Sequence, residues 1–224
     1  MENFCKQIVS ENLTDFETYY ELLTLFNSKF NLTAITEKGE VFDKHFTDSV
    51  AGLKFLSGTK LIDVGSGGGF PAIPLKIADK NLHLTMLEAT NKKCEFLSTV
   101  CSKLNLDNVT VINGRAEELS HKIGYRESYD CCTARAVARL NILVEYCLPF
   151  LKIGGKFIVY KSLLTDEELT EAESAIKLLG GKTLSVNKFE MFNQSRSIIV
   201  IEKVKSTPEK YPRSNANIRK KPLW

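Results

Sequence analysis

Asp63, the glycines of Gly65-Ser66-Gly67-Gly68-Gly69, and Glu88 have the types and spacing of a site for a nucleotide-like ligand. Asp63 lies at the end of an apolar run that begins at Leu61, and Glu88 ends the next one. Glycine has no Cβ, so the backbone between these two acids can pass close to a ligand. Glu88, as a carboxylate, offers two oxygens to a pair of ribose hydroxyls, and Asp63 suits an ammonium group. Arg135 and Lys161 follow the ends of two later apolar runs, on the edge where open α/β sheets bind ligands. A guanidinium there can pair with a carboxylate or hold a phosphate or a guanine.

Three ligand classes use a glycine turn after a strand. A P-loop requires G-x-x-x-x-G-K-[ST]. Gly181-Lys182-Thr183 supplies its end, but Ile176 stands at the first glycine, and a strand follows where a helix is required. The dinucleotide fingerprint G-x-G-x-x-G/A fails when read from Gly65, because Phe70 occupies its last position. Read from Gly67 it matches through Ala72, with Glu88 at a suitable distance for a ribose contact, so an NAD-dependent oxidoreductase is an alternative. Asp63-Val64-Gly65-Ser66-Gly67-Gly68-Gly69 also resembles the D/E-x-G-x-G-x-G motif of class I methyltransferases, which bind S-adenosyl-L-methionine (SAM). This reading uses Asp63 and Glu88 as well as the glycines.

The elements that must position these residues follow from periodicity. Apolar runs at Lys60–Val64, Leu82–Glu88, Val109–Asn113, Tyr129–Thr133 and Gly155–Lys161 predict strands. Helices are predicted near Pro71–Ala78, Asn91–Leu104, Arg139–Leu151 and Thr165–Leu179. This alternation indicates a parallel sheet covered on both faces. Two last runs, Lys182–Phe189 and Ser197–Lys203, are too close for a crossover and must pair as an antiparallel hairpin. The result is an α/β, Rossmann-like, mostly parallel seven-stranded sheet with a C-terminal antiparallel hairpin, resembling the class I SAM-dependent methyltransferase fold. Before it, Thr14-Asp15-Phe16-Glu17 fits a capping box that would start a helix. A second helix is predicted over Val41–Leu56. The expected division is an N-terminal helical segment (1–57) packed on a methyltransferase domain (58–204), then a basic tail (205–224).

Composition narrows the setting. With 43% hydrophobic and 25% charged residues the chain reads as soluble and globular. No window nears the roughly 18 apolar residues of a membrane span, and the N-terminus lacks the apolar core of a signal peptide, so a cytoplasmic protein is expected. The six cysteines and three histidines show no metal spacing, and the cysteines read as reduced core residues. From Lys203 onward seven basic residues face one acid, Glu209, which gives this segment +6 of a net +3. Such a tail suggests a polyanionic partner, or equally a solvated end.

The acceptor is narrowed by absences. No Asn/Asp-Pro-Pro-Tyr/Phe follows the fourth strand, which argues against methylation of an exocyclic amine. Cys131 and Cys132 lack the context of a cytosine-C5 nucleophile and fit core packing. In order, "NLTAITE", "KHFTDS", "DVGSGGGFPAIPLKI", "NKKCEFL", "RAEEL", "TARAVARL" and "TPEKYPR" span residues 31–213. Together they resemble the bacterial small-subunit rRNA guanine-N7 methyltransferase family, RsmG, once called glucose-inhibited division protein B.

The resemblance implies methyl transfer from SAM to N7 of guanine 527 (rRNA numbering) in 16S rRNA of the small ribosomal subunit, by a monomer without metal. By motif, Gly65, Phe70, Ala116, Glu117 and Arg135 correspond to SAM-contacting positions, beside Asp63, Gly67 and Glu88. Ala116 and Glu117 would flank the adenine. Lys44, His45, Arg115 and Lys161 correspond to the RNA-facing surface, with Arg135 and Lys161 as positioning residues at the reaction. Glu88 stands where the family often has Asp, and Ser162 where many members have Gly. N7 attack consumes a free lone pair, so alignment is the catalytic task and a general base is not expected. A non-catalytic RNA-binding module is the third alternative, opposed by the intact Asp63, glycine loop and Glu88.

Overall fold

The computed structural model describes residues 1–135, 138–162 and 166–224. Seven strands form one sheet: β1 (Lys60–Val64), β2 (His83–Glu88), β3 (Val109–Asn113), β4 (Tyr129–Arg135), β5 (Leu151–Lys161), β6 (Gly181–Met191) and β7 (Gln194–Lys203). Their order is β3-β2-β1-β4-β5-β7-β6. The first five are parallel, and β7 runs antiparallel to both β5 and β6. The β6–β7 hairpin turns on Phe192 and Asn193, both with positive φ (52° and 56°), the backbone a two-residue turn between twisted strands favours.

Successive strand residues point to opposite faces. Accordingly Leu61 joins one buried cluster and its neighbour Ile62 the other. The Leu61 face is covered by α1 (Glu2–Glu11), α2 (Leu13–Phe30), the helical stretch after it, α5 (Ala72–Ala78) and α6 (Asn91–Lys103). That stretch contains α3 (Lys38–Val41), a π-helical turn over Phe42–Thr47, α4 (Asp48–Val50) and a 3-10 turn over Ala51–Phe55. The Ile62 face carries α7 (Ala116–Leu119), α8 (Leu140–Cys147), α9 (Asp166–Leu178) and α10 (Asn215–Lys220). All six cysteines are buried and unbridged.

Several local expectations need correction. The capping box at Thr14 does not form: α2 begins at Leu13, behind Asn12, two residues before the box would start it, with no side-chain cap. Asn12 is tied instead to the preceding helix, its Nδ2 donating to the Ile8 carbonyl at 2.9 Å. That preceding helix, α1, was not foreseen, because it buries only Cys5 and Val9. The helix expected from Val41 starts at Lys38, where the Glu37 carboxylate accepts from Gly39 N and Glu40 N. It also widens to π geometry around Lys44 and His45. Finally, β4 continues past Thr133, since Ala134 and Arg135 pair with Val159 and Tyr160. Thr165, the expected start of α9, and Ala136 and Val137 of "TARAVARL" lie outside the described residues.

The C-terminal segment is folded against the body. Tyr211 and Ile218 are buried, and Lys203 is fully buried, its Nζ donating to the Leu148 carbonyl at 2.7 Å. Arg213 is bidentate to the fully buried Glu145. Two of the seven basic charges counted in the tail are thus committed inside the protein.

Candidate cofactor and substrate site

The parallel register of β1 on β4 sets Asp63 beside Thr133. Asp63 is 1% exposed. Its Oδ1 accepts the Thr133 hydroxyl at 2.7 Å, while Oδ2 has no partner among the described residues. Burial pushes this carboxyl up to about 7, against smaller opposing effects of the Thr133 and Ser66 hydroxyls and of Arg135. A buried carboxylate oxygen left unpaired is costly, and a cationic donor arriving there would satisfy it.

The loop that follows is folded back on β2. Gly65 N and Ser66 N donate to the Leu87 carbonyl at 2.8 and 3.2 Å. Gly67 N donates to Glu88 Oε2 at 3.0 Å, and Glu88 Oε1 accepts Thr90 N at 2.9 Å. Each carboxylate oxygen keeps further acceptor capacity. Gly67 has φ 54°, and a Cβ there would meet nothing nearer than the Gly65 carbonyl at 3.8 Å, so the loop leaves its ligand side open. From the opposite side the Tyr19 hydroxyl donates to the Gly68 carbonyl, so α2 braces the loop.

Beyond the loop lies a cavity of about 560 Å³ that Lys44, His45, Asp48, Arg135, Lys161 and Arg196 help to line. Arg135 is held from several sides. Its guanidinium donates to Asp48 Oδ2 at 3.1 Å, to the Lys44 carbonyl at 3.4 Å and to His45 Nδ1 at 3.0 Å. It also lies 5.0 Å from the Phe70 ring centre, and His45 stacks on that ring at 4.5 Å. The His45 Nδ1 must therefore accept, which leaves the proton on Nε2 to be donated to Thr33 Oγ1 at 2.7 Å. Burial, then the Arg135 charge, lowers the imidazole to about 3, so it is neutral. Asp48 also accepts Arg196 Nε at 2.8 Å, making one carboxylate the bridge between two guanidiniums. Lys161 Nζ donates to Glu168 Oε1 at 2.6 Å and to the Ala138 carbonyl at 3.0 Å. The Lys44 ammonium turns to Glu40, one helical turn away.

On the other side of the loop, Gly65, Arg115, Ala116 and Glu117 line a smaller cavity of about 100 Å³ with Tyr146, Asn215 and Arg219. Arg115 therefore stands with Ala116 and Glu117, not beside Lys44, His45 and Lys161, with which the sequence grouped it. The other residues fall into two neighbouring sets: Asp63, Gly67 and Glu88 at the loop, and Lys44, His45, Arg135 and Lys161 at the larger cavity, with Phe70 packed against His45 and Arg135. Asp48, Thr133, Arg196 and Tyr19 were not singled out from sequence. Asp48 had a signal, since it lies in "KHFTDS". Arg196 and Tyr19 had none.

The family described as "rRNA small subunit methyltransferase G" (GidB) matches residues 12–199. A Ribosomal RNA small subunit methyltransferase G from Brevibacillus brevis is 43% identical, covering 99% of this chain and 98% of its own length. A protein of the same name from Streptococcus pyogenes serotype M4 is 45% identical, covering 96% and 93%. Another, from Lactococcus lactis subsp. cremoris, is 44% identical over 100% and 96%. Among solved structures, a 16S rRNA (adenine(1408)-N(1))-methyltransferase from Catenulisporales acidiphilia is similar at TM-score 0.57 and 13% identity, over 72% of this chain and 92% of its own. A precorrin-6y C5,15-methyltransferase from Geobacter metallireducens is similar at TM-score 0.52 and 18% identity, over 70% and 87%. At such identities these structures speak for the fold alone.

Proposed function

The chain belongs to the rRNA small subunit methyltransferase G family, and on that premise we propose that it methylates N7 of guanine 527 (rRNA numbering) in 16S rRNA. SAM-dependent methylation of small-subunit rRNA is the family's activity. The finer reading, the base and its atom, is what the motif resemblance implies, and the site residues are compatible with it.

When bound, SAM supplies a methyl group activated by the adjacent sulfonium. The residues present fit this cofactor. Asp63, with its unpartnered buried Oδ2, would receive the methionine ammonium, and the open side of Gly67 would pass the chain of the cofactor. Glu88 would accept the ribose hydroxyls, and Ala116 and Glu117 would flank the adenine. Arg135 and Lys161 would hold the base or its phosphates in line, with Lys44 and His45 on the RNA side, while Arg115 stays with Ala116 and Glu117 at the smaller cavity.

The observation that carries the N7 reading is the bond from Arg135 to His45. The imidazole at this site is neutral, with Nδ1 already accepting and Nε2 donating, so it is not poised to abstract a proton. Methylation of an exocyclic amine requires removal of a proton, whereas guanine N7 attacks with a lone pair and needs orientation alone. A rigidly held Arg135 supplies orientation. Acting on the small subunit, the protein would work in the cytoplasm as a monomer.

Labelled SAM incubated with small subunits, or with free 16S rRNA, tests the reading. Nuclease digestion and mass mapping should recover 7-methylguanosine at position 527. Label on an exocyclic amine, at C5 of a pyrimidine, or at another guanine would overturn it.

A further inference from the structure

The C-terminal segment, counted from sequence as a possible RNA handle, ends against the small cavity behind the glycine loop. Most of that cavity is lined by the strand ends and the loops after them, Gly65, Ala116 and Glu117 among them, and the remainder by Tyr146 of α8 and by Asn215 and Arg219 of α10. The segment is held there by specific bonds. Arg126 donates to the carbonyls of Thr207 at 2.8 Å and Tyr211 at 3.0 Å. Glu145 takes both the side chain and the backbone N–H of Arg213. The Tyr146 hydroxyl donates to Asn215 Oδ1 at 2.6 Å, and Ile218 is fully buried in the core beneath. These bonds fix α10, and so place Asn215 and Arg219, one helical turn apart, on its side toward the loop.

We propose that α10 completes the cofactor site, with Arg219 a SAM-binding residue that closes on the adenine end opposite Glu117. The chemistry is complementary. Adenine offers a π face and ring-nitrogen acceptors, which a planar guanidinium matches by stacking or by donating. Its exocyclic amine is a donor, which the Glu117 carboxylate matches. The cavity holds only about 100 Å³, against roughly 300 Å³ at the lower end of small-molecule pockets. Arg219 has an exposed side chain and can yield as the adenine enters. The inference concerns the cofactor alone and is independent of which rRNA atom is methylated.

Calorimetric titration of the full chain with S-adenosylhomocysteine, and separately with adenosine, provides the test. Arg219→Ala should weaken both ligands by a similar factor, on the order of fivefold to tenfold. Lys220→Ala removes the same charge from the neighbouring exposed position and should leave both affinities within twofold. A thermal melt of the ligand-free variants should match that of the parent, since Arg219 is exposed. Unchanged affinity in Arg219→Ala would overturn the proposal. So would an equal loss in Lys220→Ala, which would make tail charge, not placement, the cause.

Discussion

Arg135 donates to His45 Nδ1 at 3.0 Å while both groups lie against the ring of Phe70. This relationship makes the histidine an acceptor that orients the arginine, and it requires the imidazole to stay neutral. Phe70, at the end of the glycine loop, thereby joins that loop to the wall of the larger cavity.

The same relationship sets a pH dependence of stability. An unfolded histidine protonates with a pKa near 6.5, whereas His45 is held at about 3. Between those values the unfolded chain binds the extra proton, so stability is fully present above 6.5 and is lost as pH falls toward 3. Urea unfolding at pH 6.5 and pH 5 should show the parent losing about 2 kcal/mol more than His45→Asn. Equal losses would mean that His45 titrates normally.

Asp63 has the opposite sign. An unfolded aspartate has a pKa near 3.9, and the folded one is raised to about 7. Ligand-free stability therefore falls as pH rises from about 4 to 7 and is level above it. An arriving ammonium favours the ionised form. S-adenosylhomocysteine affinity should rise from pH 5.5 to 7 in the parent, and that acid limb should vanish in Asp63→Asn. Calorimetry across this range checks both, and a retained limb in the variant would assign it to another group.

Gly67 and Gly69 should fail differently. Both have left-handed backbones, φ 54° and 89°. A Cβ at Gly67 enters open space on the ligand side, whereas at Gly69 it overlaps the Tyr19 hydroxyl and comes within 2.7 Å of Ile73. Gly67→Ala should cost about 1 to 2 kcal/mol of stability and more than about tenfold in S-adenosylhomocysteine affinity. Gly69→Ala should add an overpacking cost of about 1 to 3 kcal/mol. Chemical unfolding and calorimetry on the two variants separate the effects.

Arg213→Ala leaves the fully buried Glu145 without its charged partner, keeping only the backbone N–H of residue 213. The expected loss is about 3 kcal/mol, the low end for a broken buried pair because Arg213 is partly exposed. Lys221→Ala, at an exposed position of the same tail, should change stability by less than about 0.5 kcal/mol. Equal melts for the two variants would show that the segment is not anchored as described.

Much of the fold was legible because strands and helices write their burial into local periodicity. β1 and β3 begin and end at the residues read from sequence, and the short interval between the last two runs allowed only a hairpin. The loop residues Asp63, Gly67 and Glu88 were legible for a related reason: a strand end and a tight turn bring them together with little help from the rest of the chain. Helix α1 was not legible, since two buried residues make too thin a stripe. The fold of the tail was not legible from charge, because a count of lysines and arginines cannot show that Lys203 is buried against Leu148 and Thr207 or that Arg213 is taken by Glu145.

By itself, then, the sequence determined the sheet, the glycine loop and the two acids that bracket it, all consequences of short-range pattern. The tertiary structure alone decided which distant groups meet. Thr133 reaches Asp63 across 70 positions through the β1–β4 register, and Asp48 reaches Arg196 across 148 because β7 lies beside β5. These pairings decide that Arg135 is rigid, His45 neutral and Asp63 left with one oxygen unsatisfied. Sheet order and burial set them, and neither is a property of any local stretch of chain.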